Sequence, residues 1–491
     1  MSLSGVLNSA RFALDSAAAQ TALVSRNIAG ADDASYSRKI VESRTQSIEL
    51  GSPQIRRAEN PALFARATEA RSEAASAGVV KDGLTQIRSL FGGDGQENAP
   101  STLISTMQTA LRTAASDPSD RVLASRALDA ANTLASSIRK NAAALSGQRN
   151  DIEARLGQEA EKLNSSLASF ESLNSKIVGA TRLGQDATDL RDQRDEVLRG
   201  ISNVIGVKAF SRADNDMVLQ TDSGVLMFET RARPINFQSV GPLQAGQPGG
   251  RFLVDGVGVA GQNAVMPTGS GTVHGLITLR DGAAAEAEAK LDETARLLIS
   301  AFREKDQTIG GTKPDIAGLF TADGLTSLPP DGVRVPGIAQ RLTIAASVDP
   351  AKGGNINLLR DGGIGAPSDN DYRTNTTNLS GFSAQLNAMA QATDKSMAVD
   401  ANAGIGTSRS VSEFSARAFG ALEEQRRTAS ERAEFSSIVL ERSTKSLASE
   451  TGVSLDAEMA RLLELERSYS ASAKILSVVD AMYNALFGAV Q

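Results

Sequence analysis

The two ends of the chain carry the same helical seam. Leu455, Glu458, Leu462, Leu465, Tyr469, Ser472, Leu476, Val479, Tyr483 and Leu486 follow one another in alternating steps of three and four. That repeat keeps one face of a helix turned toward a partner helix. Met459, Ala473, Ile475 and Met482 widen the seam, and no Gly or Pro interrupts it before Gly488. Glu458 and Ser472 make it an imperfect zipper. At the other end Leu3, Leu7, Ala10, Leu14, Ala17, Thr21, Val24 and Ile28 show the same alternation. Matching seams at opposite ends predict termini that pair with each other, with everything else looped out between them. The first seam is rich in Ala and Thr and buries little, and an isolated helix of that kind is marginal in water. Ordering both ends costs conformational entropy that such a thin seam does not offset. The expectation is therefore that the ends are disordered in a free monomer and fold between neighbouring subunits.

Between the seams the periodicity changes twice. Residues 30–37 are polar and turn-rich, and 38–55 alternate loosely, as an extended segment or hairpin does. Pro61 stands where a helix can begin, and 62–90 is long, Ala-rich and helical until Phe91-Gly92-Gly93-Asp94-Gly95 stops it. Residues 101–116 and 119–200 are almost continuously helical, with Asp117-Pro118 between them and a turn at 179–184. A helix of that length predicts a further break near Gly147 or Gly157. Near Ile201 the period becomes two. Segments 204–210, 217–221, 225–229, 235–238 and 252–259 read as short strands of a small antiparallel sheet or barrel. Helix returns over 283–306. The stretch 310–367 is rich in Gly and Pro, with a strand at 342–348, and 379–392 and 410–447 are helical again. The predicted fold is mainly α with a β-rich insertion, nested in three parts. Residues 1–40 with 451–491 form a terminal coiled coil, 41–203 with 376–450 a long-helix bundle, and 204–375 a β-rich outer domain.

Composition narrows the function. A net charge of −6 and a pI near 5.3 do not suit an electrostatic nucleic-acid binder. No apolar run is long enough to span a bilayer, and no cleavable secretory leader is visible, so neither nucleic acid nor membrane is an expected partner. The absence of Cys excludes disulfides and thiolate chemistry and leans toward an extracellular life. No catalytic, metal or cofactor constellation emerges. His274 is the only His and lacks acidic or Cys neighbours at ligand spacing, so it reads as structural or surface. Gly269-Ser270-Gly271 lacks the nucleophile-elbow spacing, and the pairs Gly353-Gly354 and Gly362-Gly363 are not followed by the Lys-Ser/Thr of a phosphate loop. Asp214-Asn215-Asp216 reads as a hairpin turn rather than a calcium loop. The cluster Arg191-Asp192-Gln193-Arg194-Asp195-Glu196 is most simply a solvated helix face, with contact to a neighbouring subunit as the alternative.

The segments bordering the terminal helices resemble the flagellar axial proteins. Arg26-Asn27-Ile28-Ala29-Gly30 through Tyr36-Ser37-Arg38 is similar to their asparagine-rich motif that runs through Thr-Pro-Gly-Tyr-Ser-Arg; Ala34-Ser35 replaces the Pro-Gly. Thr451-Gly452-Val453-Ser454-Leu455-Asp456-Ala457-Glu458-Met459 resembles the Ser-Gly-Val-Asn-Leu-Asp-Glu-Glu-Met entry to the last helix of the hook-associated protein 1 family. Leu462, Tyr469, Ile475, Val479 and Met482 continue that pattern. The resemblance implies a nested axial subunit, exported through the flagellar type III channel without a cleaved leader, that forms a ring joining hook to filament. Its implied partners are itself in a ring, hook protein, the second junction protein, and an export chaperone on the C-terminal helix. The implied assembly residues are Leu3, Leu7, Leu14, Val24, Asn27, Ile28, Tyr36 and Arg38 at one end. At the other they are Leu455, Asp456, Met459, Leu462, Leu465, Tyr469, Leu476, Val479, Tyr483 and Leu486. Alternatives are a hook, rod or second junction protein, a secreted enzyme, or a coiled-coil adhesin or effector.

Overall fold

The computed structural model describes residues 3–42, 54–92 and 98–489. Eleven helices are found among them: α1 (Leu3–Ala29), α2 (Pro61–Ser89), α3 (Pro100–Ser116), α4 (Arg121–Arg182), α5 (Thr188–Val204), α6 (Gly271–Ile277), α7 (Ala284–Ala301), α8 (Leu358–Asp361), α9 (Ala384–Ala392), α10 (Val411–Thr451) and α11 (Leu455–Ala489). The strands are short: β1 (Lys39–Glu42), β2 (Gln54–Arg57), β3 (Val207–Ser211), β4 (Met217–Thr221), β5 (Leu226–Phe228), β6 (Ile235–Gln238), β7 (Arg251–Val254), β8 (Val257–Ala260), β9 (Phe320–Ala322), β10 (Leu342–Ile344), β11 (Met397–Ala398) and β12 (Ser408–Arg409).

The body is built on α4, whose 62 residues run without a break. Asp120 starts it by accepting the Val122 amide at 2.7 Å. The break expected near Gly147 or Gly157 does not occur. Both glycines sit where a helix tolerates them at about 1 kcal/mol relative to Ala. The apolar stripe Leu134, Ile138, Leu145, Ile152, Leu156, Leu163, Leu167 and Phe170, buried throughout, continues in register across them. Packing along the whole length outweighs two weak positions. Helices α3, α5 and α7 lie against α4, while α10 runs along α2 and also contacts α3 and α7. Asn60 caps α2, with Pro61 in its first turn, and Ser410 caps α10 by accepting the Glu413 amide at 3.2 Å.

The strands form two separate three-stranded antiparallel meanders, β3–β4–β5 and β6–β7–β8, together with three two-stranded ribbons; there is no barrel among the described residues. The hairpin turn expected at 214–216 is present, with Asp214 and Asn215 at positive φ. The run 252–259 is two strands rather than one, because Asp255 (φ 50) and Gly256 (φ 80) reverse the chain. Asp-Gly between apolar residues is the sequence of that turn type. The second meander is pinned to α4 by Arg280, which is fully buried and bonds Glu153 at 2.5 Å and the Gly250 carbonyl at 2.8 Å. One apolar cluster runs from Leu84 through the meanders and α7 to Ala429. The changes near 204 and 375 are therefore changes of secondary structure within a continuous core.

Candidate functional site

The terminal pair and its joint to the body are the candidate site. α1 and α11 pack against each other, along the seams expected. On α1, Ala10, Ala17 and Val24 are buried, and Leu7, Leu14, Thr21 and Ile28 half-buried. On α11, Glu458, Leu465, Ser472 and Val479 are buried at seven-residue intervals, with Leu462 and Leu476 half-buried between them and Tyr483 half-buried beyond. The side chains of Leu3 and Leu486 lie outside the described residues. Small and polar side chains fill much of this contact, so the pair is thin.

Four expected contact residues of α11 are not inside the pair. Leu455, Met459 and Tyr469 remain about half exposed, as do Leu463, Ile475, Val478 and Met482. Asp456 is exposed as well. At 100° per residue, Leu455, Met459 and Leu463 fall on one flank of the seam and Ile475, Val478 and Met482 on the other. α1 is too short and too rich in Ala to cover both flanks. Phe12 is exposed on α1.

Asn27, Tyr36 and Arg38, implied as assembly residues, make contacts within the chain. The Asn27 side chain, 1% exposed, accepts from the Lys39 amide at 2.9 Å and donates to the Lys39 carbonyl at 3.0 Å. Tyr36 donates its hydroxyl to Asn27 Oδ1 at 2.9 Å. The Tyr36 ring lies over Gly30, where a Cβ would come within 2.7 Å of it; the glycine is needed for that approach. Burial pushes the Tyr36 hydroxyl up to about 12, with Arg26 opposing and Asp189, Asp192 and Glu458 adding to it. The Arg38 amide donates to the Thr451 carbonyl at 2.8 Å, tying the first connection to the last. These three residues close the corner between α1, the β1–β2 ribbon and the end of α10.

The charge cluster on α5 locks that corner to the body, and it is not a solvated face. Asp192, Arg194 and Asp195 are buried. Lys39, fully buried, ion-pairs with Asp192, and its ammonium stands 4.7 Å from the Tyr36 ring centroid. Arg57, from β2, bonds Asp192 at 3.0 Å and Asp195 at 2.7 Å. Arg26 pairs with Asp189 and, at 3.6 Å, with Asp186; Arg191 pairs with Glu59. The i,i+4 reading failed because Arg191, Asp192 and Asp195 find their partners in segments more than a hundred residues away, although Glu196 does pair locally, with Arg199. Nothing local in the sequence signals that pairing, although two buried-capable cations, Lys39 and Arg57, flank the ribbon.

No group of three or more metal-ligating side chains occurs among the described residues, and no described helix is long and apolar enough to cross a membrane. His274 bonds the Thr268 carbonyl through Nδ1 at 2.9 Å.

Comparison with known proteins gives this geometry a context. Residues 84–308 match the family model of the flagellar hook-associated protein FlgK helical domain, and 448–488 match that of the flagellar basal body rod FlgEFG protein C-terminal region. Flagellar hook-associated protein 1 of Bacillus subtilis (strain 168) is 23% identical over 363 residues, an alignment covering 69% of this chain and 66% of that protein. The flagellar hook junction protein FlgK from Burkholderia pseudomallei shares the fold, with a TM-score of 0.54 at 12% identity over 78% of this chain and 99% of that structure. A helical body nested between paired termini, with these matches at both its core and its end, defines a structural component of the flagellum. Within that class the helical body is similar to that of the flagellar hook-associated protein FlgK.

Proposed function

We propose that the chain is a subunit of the junction between flagellar hook and filament, assembling as a ring through its terminal helices. The observation that carries this is the half-used terminal pair. α1 and α11 bury one seam against each other and leave apolar flanks on α11 uncovered. Each large side chain covered on assembly contributes about 1.5–3 kcal/mol. Stacked subunits would cover Leu455, Met459 and Leu463 on one side and Ile475, Val478 and Met482 on the other. Hook protein below and the second junction protein above are the neighbours this reading assigns. Export runs through the flagellar type III channel, with a chaperone holding α11 at Leu462, Tyr469 and Leu476 while it is unfolded. The salt-bridged corner on α5 then fixes the angle between the assembled terminal pair and the helical body.

The match of 448–488 to a rod-protein region favours a second reading, another axial protein of hook or rod. Deleting the gene in its own host separates the two. Bare hooks, with flagellin shed unpolymerised into the medium, are the expected result by electron microscopy and analysis of the culture fluid. Loss of hooks as well would move the protein to hook or rod, and normal filaments would reject both readings.

A further inference from the structure

Between β3 and the helices α2 and α5 lies a cleft of about 470 Å³, and all five residues of β3 line it. β3 is the outer strand of its sheet. Its pairing with β4 runs from Val207 opposite Thr221 to Ser211 opposite Met217. Just beyond the two ends, the Asp222 amide donates to the Gly206 carbonyl and the Arg212 amide to the Asp216 carbonyl. The alternation of an antiparallel ladder therefore turns the main-chain groups of Lys208 and Phe210 toward β4. Those of Val207, Ala209 and Ser211 point the other way, and they have no hydrogen-bond partner among the described residues. An open strand edge is a template for another strand. This one is shielded by α2, which limits access to a segment that fits the cleft. Phe210, half exposed, and Phe64 of α2 give it apolar contact surface.

A second observation specifies the occupant. Arg194 lines the same cleft and is only 2% exposed. Its Nη1 donates to Asn174 Oδ1 at 2.8 Å and to the Asn215 carbonyl at 2.6 Å, its Nε has no partner, and no carboxylate pairs with it among the described residues. The other lining groups are only partly engaged: Asp222 Oδ1, Arg57 Nε and Arg191 Nε are buried without a hydrogen-bond partner. Glu59 is held by Arg57 and Arg191, Asp195 by Arg57, and Asp222 Oδ2 by the Gly269 amide and the Ser270 hydroxyl. Glu69 stands on the exposed rim. Burial pulls the Arg194 guanidinium down to about 10, with Arg191 and Arg57 adding to the effect and Asp195 opposing it. A buried cation without a carboxylate is costly, and an incoming one relieves that cost.

We propose that the cleft accepts an extended segment of another polypeptide, which adds as a strand to the free edge of β3 and presents a carboxylate side chain to Arg194. Main-chain bonds to Val207, Ala209 and Ser211 supply general affinity, and the carboxylate supplies selection. The proposal does not depend on the junction reading.

The test uses the full chain and an acetylated, amidated pentapeptide, Thr-Val-Glu-Val-Thr, at millimolar concentration, read by hydrogen–deuterium exchange. Exchange across 207–211 should slow, and the Thr-Val-Gln-Val-Thr peptide should bind about tenfold more weakly, the loss of one charge-assisted contact. Ala209→Pro removes an outward donor while leaving the ladder to β4 intact, and should abolish the slowing. A probe N-methylated at every amide cannot donate to the strand from either edge and should also leave exchange unchanged, which covers the case of a misfolded variant. No slowing with the first peptide, slowing that survives both blocks, or equal binding of the Gln peptide would overturn the proposal.

Discussion

At the scale of single residues, Asn27 does the most with the least. It is a helix residue in the last turn of α1, and its amide group satisfies both main-chain groups of Lys39 while accepting from Tyr36. Removing it leaves a buried donor and acceptor unpaired, each costing about 1–3 kcal/mol. Asn27→Ala should therefore speed amide exchange at Lys39 and through the β1–β2 ribbon, while exchange in the middle of α4 stays unchanged. Equal acceleration in α4 would show that the corner is not a separate unit. Asn27 and Tyr36 are legible in the sequence as members of a motif, but their task is not. A motif states which residues recur; only the packing shows that they hold each other. Asp292 poses a separate question of pH. It is fully buried and accepts the amides of Gly337 at 2.9 Å and Ala339 at 3.0 Å. Burial nevertheless pushes its carboxyl up to about 6, because those two bonds do not fully replace water. The folded chain thus binds this proton more readily than the unfolded one. Its contribution to stability grows as pH falls from 7 toward 5, by about 1 kcal/mol. Denaturant unfolding of wild type and Asp292→Asn at the two pH values checks this: the wild type should gain on the variant as pH falls, and a gain for the variant would contradict it.

At the scale of elements, sequence periodicity succeeded where one partner dominates and failed where several compete. The α1 and α11 seams, the strand 217–221 and the start of α2 at Pro61 were readable because their apolar spacing has a single buried face. The uninterrupted α4 was not, since nothing in Gly147 or Gly157 announces that the stripe on either side stays in register. The α5 cluster was misread for the opposite reason. Its charges suit a solvated helix, and only the arrival of Lys39 and Arg57 from a distant ribbon makes them interior. The thin terminal pair bears directly on the state of the free monomer. Buried positions filled by Ala10, Ala17, Ser472 and Glu458 contribute little, and Glu458 Oε2 is buried without a hydrogen-bond partner. These helices should be stable chiefly inside the assembly. Circular dichroism of the purified monomer should then show no loss of helix when residues 1–30 and 451–491 are removed. A loss matching about seventy helical residues would show that the pair folds alone.

At the scale of the molecule, the chain divides labour between a thick body and a thin end. The body buries a continuous apolar core and is crossed by fully satisfied ionic bridges such as Arg280–Glu153 and Arg296–Glu293. The end buries one seam, keeps its other apolar surfaces outward and is fastened to the body by the α5 lock. In the proposed junction role those outward surfaces of α11 pack against neighbouring subunits in the flagellum. The sequence contains no Cys, so single substitutions report cleanly. Ile475→Cys and Met459→Cys would be expressed in place of the native chain, and their reaction with a soluble maleimide measured in the purified monomer and in isolated flagella. Ile309→Cys, on a fully exposed loop, serves as the control. Both α11 thiols should react in the monomer and be protected in the flagellum, while the control reacts in both. Equal labelling of the α11 thiols in monomer and flagellum would contradict it.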